Sequence, residues 1–354
     1  MPRVLALVSA LLAVPAIAAE PLPKVPAKLV TLARPATTVA EVATAIREQT
    51  GLAVDVSKVD AAKKRAVEFS KVPFWTAVEK MAADAGCRIA VNGSGREIAL
   101  VPLAAGVKLP PSSVDGPFRV VLKQVVAKRD FETGKTVYQL HLDAMWEPRF
   151  PVYLMDGEPK VTTATADGKA VTADAPTGRV ATSGYTHPLT ITLRDVPRAA
   201  KQLDEITGSF TVVAARQLLP FAFDDLTTDK PVAKEQAGVT VTLKPVKHAG
   251  GRVEFNFEMK YPAGHPELES FEEVWASSNK LRVTGPNGRQ NVEPTDYNTD
   301  SRGGTVYGNY AFAGANGQPG PLPEKLTGWK AVYETPSPLL KQTVTFTLKG
   351  IELP

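Results

Sequence analysis

The chain has 354 residues, of which 44% are hydrophobic and 22% charged, with 41 basic against 37 acidic side chains. That length accommodates two or three domains, and that composition lets each build a core. A net charge of +4, spread thinly and with no dense basic tract beyond Lys63-Lys64-Arg65, excludes the clustered basic face that nucleic-acid binding requires.

The first 19 residues read as a signal peptide. Arg3 is a short positive lead, and Val4 to Pro15 is an apolar run too short for a bilayer, which takes about 20 residues. Ala16-Ile17-Ala18 is the small-residue pattern of a cleavage site, followed by Ala19-Glu20, so cleavage is expected at Ala18 and Ala19. The expected location is periplasmic or secreted, with no transmembrane segment in the mature chain. The single cysteine, Cys87, cannot form an intramolecular disulfide. It lies in an apolar alternating segment, which predicts a buried thiol and not an exposed nucleophile.

Residues 20–105 form the next unit. A proline-rich lead, 20–28, precedes a short strand at Leu29–Leu32. Thr38-x-x-Glu41 is a capping box, and Val39, Val42, Ala43 and Ile46 give the following helix one apolar face. Gly51 ends that helix, and Leu52, Val54 and Val56 alternate as a strand. The pattern is then repeated: a strand at Ala66–Phe69, Pro73 at a helix start, a helix face of Phe74, Ala77, Val78, Met81 and Ala82, and Gly86 as its stop. Strands at Cys87–Val91 and Ile98–Pro102 flank the turn Asn92-Gly93-Ser94-Gly95. Trp75, on an apolar helix, is expected in the core. Carried by Val39–Ile46, Thr50-Gly51-Leu52, Phe69, Trp75–Met81 and Ala85-Gly86, this βαββαββ region resembles the short N-terminal domain of secretins and of signal-transducing TonB-dependent receptors. The resemblance implies a module without catalytic residues that docks against other envelope proteins. The rest of the chain has no room for a secretin pore or an outer-membrane barrel, so what the resemblance implies is an adaptor.

Residues 106–117 are a linker by composition, with Leu109-Pro110-Pro111-Ser112-Ser113 at its centre. Beyond it the apolar period becomes two, with strands at Arg119–Lys123, Val137–Leu142, Thr190–Leu193 and Phe210–Val213. Motifs recur about 120 residues apart: Val121-Leu122-Lys123 with Thr242-Leu243-Lys244, Lys160 with Lys280, Asp167-Gly168-Lys169 with Asn287-Gly288-Arg289, and Thr207-Gly208 with Thr327-Gly328. This predicts two tandem β-sandwich domains, 118–232 and 233–354. They look like immunoglobulin domains in architecture only, since the cysteine pair and its tryptophan are missing. The expected fold class is therefore multidomain α+β, a small βαββαββ domain followed by two all-β sandwiches.

Each copy carries an aromatic insertion after its second strand, Trp146–Tyr153 in one and Tyr261–Glu267 leading to Phe271 and Trp275 in the other. Because Trp, Tyr and Arg dominate binding hot spots, Trp146, Arg149, Tyr153, Tyr261 and Trp275 are the candidate contact surface. Packing over the end of each sandwich is the competing role.

Chemical motifs are incomplete. Asp296-x-Asn298-x-Asp300 begins like a calcium loop but has Ser301 where a glycine belongs, Arg302 at position seven and Tyr307 where a bidentate glutamate belongs, so a polar hairpin loop is expected there. Ser277-x-x-Lys280 lacks the helix and partner motifs that a penicillin-binding enzyme needs. No catalytic residue, cofactor or metal is nominated. The sequence points to a non-catalytic exported envelope protein that acts as a protein-docking adaptor or scaffold, with an envelope protein as partner and no nucleic acid. The alternative is a carbohydrate- or cell-wall-binding protein that stacks glycan on the aromatic insertions. A hydrolase would need a cleft of converging titratable groups.

Overall fold

The computed structural model describes residues 24–60, 63–92, 97–129, 131–249, 251–262, 279–286, 288, 291–302, 305–314 and 320–354. The expected signal peptide, with Ala18 and Ala19, and Trp275 lie outside them. The elements are β1 (Leu29–Thr37), α1 (Val39–Thr50), β2 (Val54–Asp55), β3 (Arg65–Pro73), α2 (Phe74–Ala85), β4 (Cys87–Asn92) and β5 (Glu97–Pro102). There follow β6 (Ser112–Asp115), β7 (Phe118–Arg129), β8 (Thr136–Trp146), β9 (Val152–Asp156), β10 (Lys160–Ala166), β11 (Lys169–Ala170), β12 (Thr172–Ala173), β13 (Arg179–Ala181), β14 (Thr186–Arg194), β15 (Gln202–Ala215) and β16 (Leu218–Phe223). Last come β17 (Val232–Gln236), β18 (Val239–Leu243), β19 (Lys247–Ala249), β20 (Arg252–Lys260), β21 (Lys280–Thr284), β22 (Asn291–Val292), β23 (Asp296–Arg302), β24 (Thr305–Phe312), β25 (Lys330–Pro336) and β26 (Leu339–Glu352). The protein is mostly β, in several sheets.

α1 starts, and both helices stop, for the reasons their sequences predict; Pro73, expected in the first turn of α2, is instead the residue before it and the last of β3. Thr38 accepts from the Glu41 N–H while the Glu41 carboxylate accepts from the Thr38 N–H, completing the capping box. Gly51 and Gly86 take φ of 76° and 67°, a left-handed conformation in which a side chain would be strained. The inner faces of α1 and α2 share a core with β1, β3, β4 and β5. Trp75 and Cys87 are both buried in it, and burial pushes the Cys87 thiol up from its ordinary value. The strands form two small sheets, β1–β3 and β2–β5–β4. This core also takes in Val121 from β7 and Met145 from β8, so the helical unit packs on the outer face of the sheet that follows.

Two sheets, β12-β14-β8-β7-β6 and β11-β10-β15-β9-β13, enclose a first β core. Two more, β17-β18-β20-β24-β23 and β16-β25-β21-β22, enclose a second. Lys160 and Lys280 each open a strand in the same place of the paired arrangement, β10 and β21. The Thr207-Gly208 pair lies inside β15, whereas Thr327-Gly328 lies in the turn before β25, so that part of the internal match is not a structural equivalence.

The boundary expected between 232 and 233 does not separate the two cores, because the chain exchanges strands across it. β15 pairs with β26 along its whole length, from Gln202 opposite Glu352 to Ala215 opposite Leu339. β16 pairs with β25, from Leu218 opposite Pro336 to Phe223 opposite Ala331. The register is the same on both sides of the break, so Gln202–Phe223 and Ala331–Glu352 form one antiparallel ribbon running through both cores. At the break the Ser337 N–H donates to the Gln217 carbonyl at 2.9 Å and its hydroxyl accepts the Arg216 N–H at 3.1 Å. Leu340, Val344, Phe346, Leu348 and Ile351 thus belong to the first core, and Leu219, Phe221 and Phe223 to the second.

A fragment of residues 112–231 lacks β26 and is expected to stay unfolded, while 112–354 unfolds in one cooperative transition; near-ultraviolet circular dichroism and urea titration check both. Gly208→Ala would place a Cβ 2.7 Å from Phe346 Cζ and 3.0 Å from the Lys160 carbonyl, and is expected to cost about 1–3 kcal/mol in the same titration.

Candidate functional site

A concavity of about 750 Å³ lies where the helical unit meets the first β sheet. One wall is α2, whose Thr76, Glu79, Lys80 and Ala83 fall three and four residues apart and so share a face. Arg88 and Ile89 of β4 continue that wall, and Val121, Leu122 and Lys123 of β7 form the opposite one. The segment 103–110 closes one side. It is tied down by the Leu103 N–H to the Gly86 carbonyl at 3.0 Å and turned by the Val107 N–H to the Ala104 carbonyl at 3.1 Å, with Gly106 at φ 81°. Pro110 and Pro111 then keep the chain extended, and the Pro111 carbonyl accepts the Leu122 N–H at 2.9 Å. Val107 and Leu109 remain 55% and 43% exposed, presenting apolar surface to the cleft.

The rim is cationic. Arg119 is buried and neutralised, its Nε donating to Glu79 Oε1 at 2.7 Å, and that carboxylate also accepts from the Ser112 hydroxyl at 2.5 Å. Lys80 pairs with Asp84 at 3.6 Å, Lys123 with Asp143 at 3.4 Å and Lys108 with Glu352 at 2.8 Å. These pairs are half-exposed or exposed and hold little energy, so their cations can be reassigned to a ligand at small cost. Arg88 is exposed at the same rim. β4 ends its sheet, and its outer edge carries no strand partner among the described residues.

The walls are fixed to each other behind the cleft. The Pro117 carbonyl accepts both the Trp75 Nε1–H, at 3.0 Å, and the Glu147 N–H, at 3.1 Å. Glu147 is fully buried. Its carboxylate accepts the Lys28 N–H at 2.9 Å and the Arg149 Nε–H at 2.5 Å, and Arg149 also donates to the Pro26 carbonyl. The Lys28 carbonyl in turn takes the Phe74 N–H at 2.8 Å, the first residue of α2. The proline-rich lead is therefore a strap. Val25 is buried in the first β core and its N–H donates to the Gln342 side chain of β26 at 2.8 Å.

Of the five residues expected as a contact surface, the four described, Trp146, Arg149, Tyr153 and Tyr261, are engaged within the molecule. Trp146 is 1% exposed and lies in the first β core, opposite Phe118. Tyr153 is 3% exposed and belongs to the second core, although its strand stands in a sheet of the first. Arg149 is occupied by Glu147 and the strap, over the Phe150 ring at 5.2 Å. Tyr261 is half-buried, its hydroxyl bonded to Thr335 at 2.9 Å, and burial raises its pKa. Trp275 lies outside the described residues. The first insertion is aromatic because it seals the inside of the molecule, and large amphipathic rings serve interiors and interfaces alike. The lining of the cleft comes from separate stretches between 76 and 123. Its one local signal is the apolar Val107 and Leu109 inside a linker otherwise rich in turn residues. Asp296-x-Asn298-x-Asp300 is not a loop but strand β23. Its alternate side chains stand roughly 7 Å apart in a line, a spacing that does not wrap one ion. Among the described residues no group of three or more His, Cys, Asp or Glu gathers as a metal site, and no helix is long and apolar enough to cross a membrane.

No protein-family model matches the chain, and neither a curated protein nor a solved structure matches it.

Desolvation raises the Glu147 carboxyl above its ordinary 4.5, against the pull of Arg149 and the Lys28 N–H. The folded chain then holds this proton more tightly than the unfolded one. The stability it contributes is full below 4.5 and falls as pH rises through the folded value. The stability of the wild type minus that of Glu147→Gln, from urea titration, is expected to shrink from about pH 4 to about pH 7. Glu147→Ala leaves a half-buried guanidinium unpaired and is expected to cost about 3 kcal/mol at neutral pH.

Proposed function

We propose that this chain is a non-catalytic, exported envelope protein that docks a protein partner in the cleft between α2 and β7. The observation that carries this reading is a roomy, apolar-floored groove, about 750 Å³, with cations on its rim and walls held together by Trp75, Pro117 and Glu147. Pre-organised walls lower the ordering cost of binding. The partner segment that fits is extended, with acidic and apolar residues in alternation. Acidic positions answer Lys80, Arg88, Lys108 and Lys123, apolar positions cover Val107 and Leu109, and the open edge of β4 offers backbone groups to a strand laid beside it.

Export rests on the first 19 residues. The layout we propose is a small α/β docking domain followed by two β-sandwich domains joined by the exchanged ribbon, in which the sandwiches act as a stiff spacer. The helix-strand order of residues 29–102 supports the likeness to the short N-terminal domain of secretins and TonB-dependent receptors. Trp146 offers no ring for a sugar to stack on, because its ring is in the core.

A photo-crosslinking residue in place of Leu109, in the full chain expressed in its own envelope, is expected to trap one discrete protein. The double variant Arg88→Glu, Lys123→Glu is expected to abolish the trap while leaving the melting temperature unchanged. Trapping that ignores the charge reversal, or no trapping, rejects the cleft as the docking site.

A further inference from the structure

The outward face of the second β unit carries a row that strand propensity does not explain. β20, β24 and β23 are neighbours, and their register sets Asn256 opposite Asn309 and Asn309 opposite Asn298. Asn256 and Asn309 stand on the solvent side, because Phe255, Phe257 and Tyr310 between them point into the core. Asparagine is disfavoured in strands. Three in one row break a local rule without any packing in return, and such breaks mark functional positions. The row floors a groove of about 450 Å³. On one side the chain rises at Lys244, whose N–H donates to the Asn256 carbonyl at 2.9 Å. On the next row Tyr307 and Asp300 face each other across the same strand pair.

The chemistry of the groove is that of a neutral, hydroxyl- and amide-rich ligand. The Asn309 Nδ2 donates to the Asn256 Oδ1 at 2.9 Å, which orients both amides. The Asn256 Nδ2 is a buried donor with no partner among the described residues. Two lysines stand at the edge: Lys244 lies 3.6 Å from Glu258 and 5.8 Å from the centre of the Tyr307 ring, and Lys247 is exposed, with the exposed Asp300 in the same lining. The field over the row is therefore close to balanced, which disfavours a polyanion. Strands lie about 4.8 Å apart, so the three amides form a ruler roughly 10 Å long, the span of about two linked pyranose rings. An acetamido group complements an asparagine amide donor for acceptor, and the tyrosine ring on the adjacent row offers an apolar surface to a sugar face. Among the described residues β23 is the last strand of its sheet, and no described strand closes the groove at that side.

We infer that the face made by Asn256, Asn309, Asn298 and Tyr307 binds a β-linked N-acetylhexosamine glycan. This site is separate from the docking cleft and does not depend on it.

The test uses the full mature chain and the linear tetramer of N-acetylglucosamine, titrated by amide-resolved NMR. Saturable shifts are expected at residues of β20, β23 and β24. Asn298→Ala and Tyr307→Ala change exposed side chains and leave the fold intact, as the unperturbed remainder of the spectrum will show. Each is expected to weaken binding about tenfold, while Arg88→Glu in the cleft leaves it unchanged. No shifts at millimolar sugar, shifts elsewhere on the molecule, or wild-type affinity in both groove variants would overturn the assignment.

Discussion

The exchanged ribbon is the constraint from which the rest of the β architecture follows. Hairpin-related strands normally finish the sheet they begin. Here each copy sends its last strand into the other, so that β26 completes the core begun at Phe118 and β16 completes the one begun at Val239. Burying Phe346 alone contributes about 1.5–3 kcal/mol, and that contribution is available to the first core only when the C-terminus is present. Neither sheet pair is a separable folding unit, and the break at Arg216-Gln217 and Ser337 is bonded where a flexible hinge would be left open.

That stiffness is what gives the cleft a definite shape. The strap at Val25 is tied to β26 through Gln342, the buried Glu147 is tied to the strap through Lys28, and Trp75 is tied to the same carbonyl as Glu147. A chain of hydrogen bonds thus links the C-terminal strand, the N-terminal lead and α2. Displacing α2 from β7 would strand the Trp75 indole N–H, which carries a desolvation penalty once unpaired. A groove between two parts of a chain is pre-formed only under such a condition. The candidate glycan face owes nothing to this junction, since its floor is a single sheet held by cross-strand pairing.

The aromatic residues show how composition misleads about location. Trp146 and Tyr153 have the profile of hot spots, yet both are enclosed, in different cores. A hot spot is a residue desolvated on binding, and a core residue is one desolvated on folding; the free energy comes from the same surface in both cases. Surfaces assembled from unremarkable residues are correspondingly hard to see. Asn298 and Asn309 are eleven positions apart in the chain, with nothing local to mark them until β23 and β24 align.

The order of elements and the ends of the helices were legible in the sequence. Thr38, Glu41, Gly51 and Gly86 act within a few residues of themselves, through hydrogen bonds and φ angles that local chemistry sets. The strands after Phe118 were legible for the same reason, because alternation of apolar side chains is a property of neighbours. The burial of Trp75 and Cys87 also followed from the faces they occupy. What only the tertiary structure decided was which strand completes which core, where the aromatic insertion points, and which charges face one groove. Those depend on pairing between segments as distant as Gln202 and Glu352. Strand pairing is a backbone interaction indifferent to most side chains, so the sequence marks that a strand exists far more strongly than it marks its neighbour.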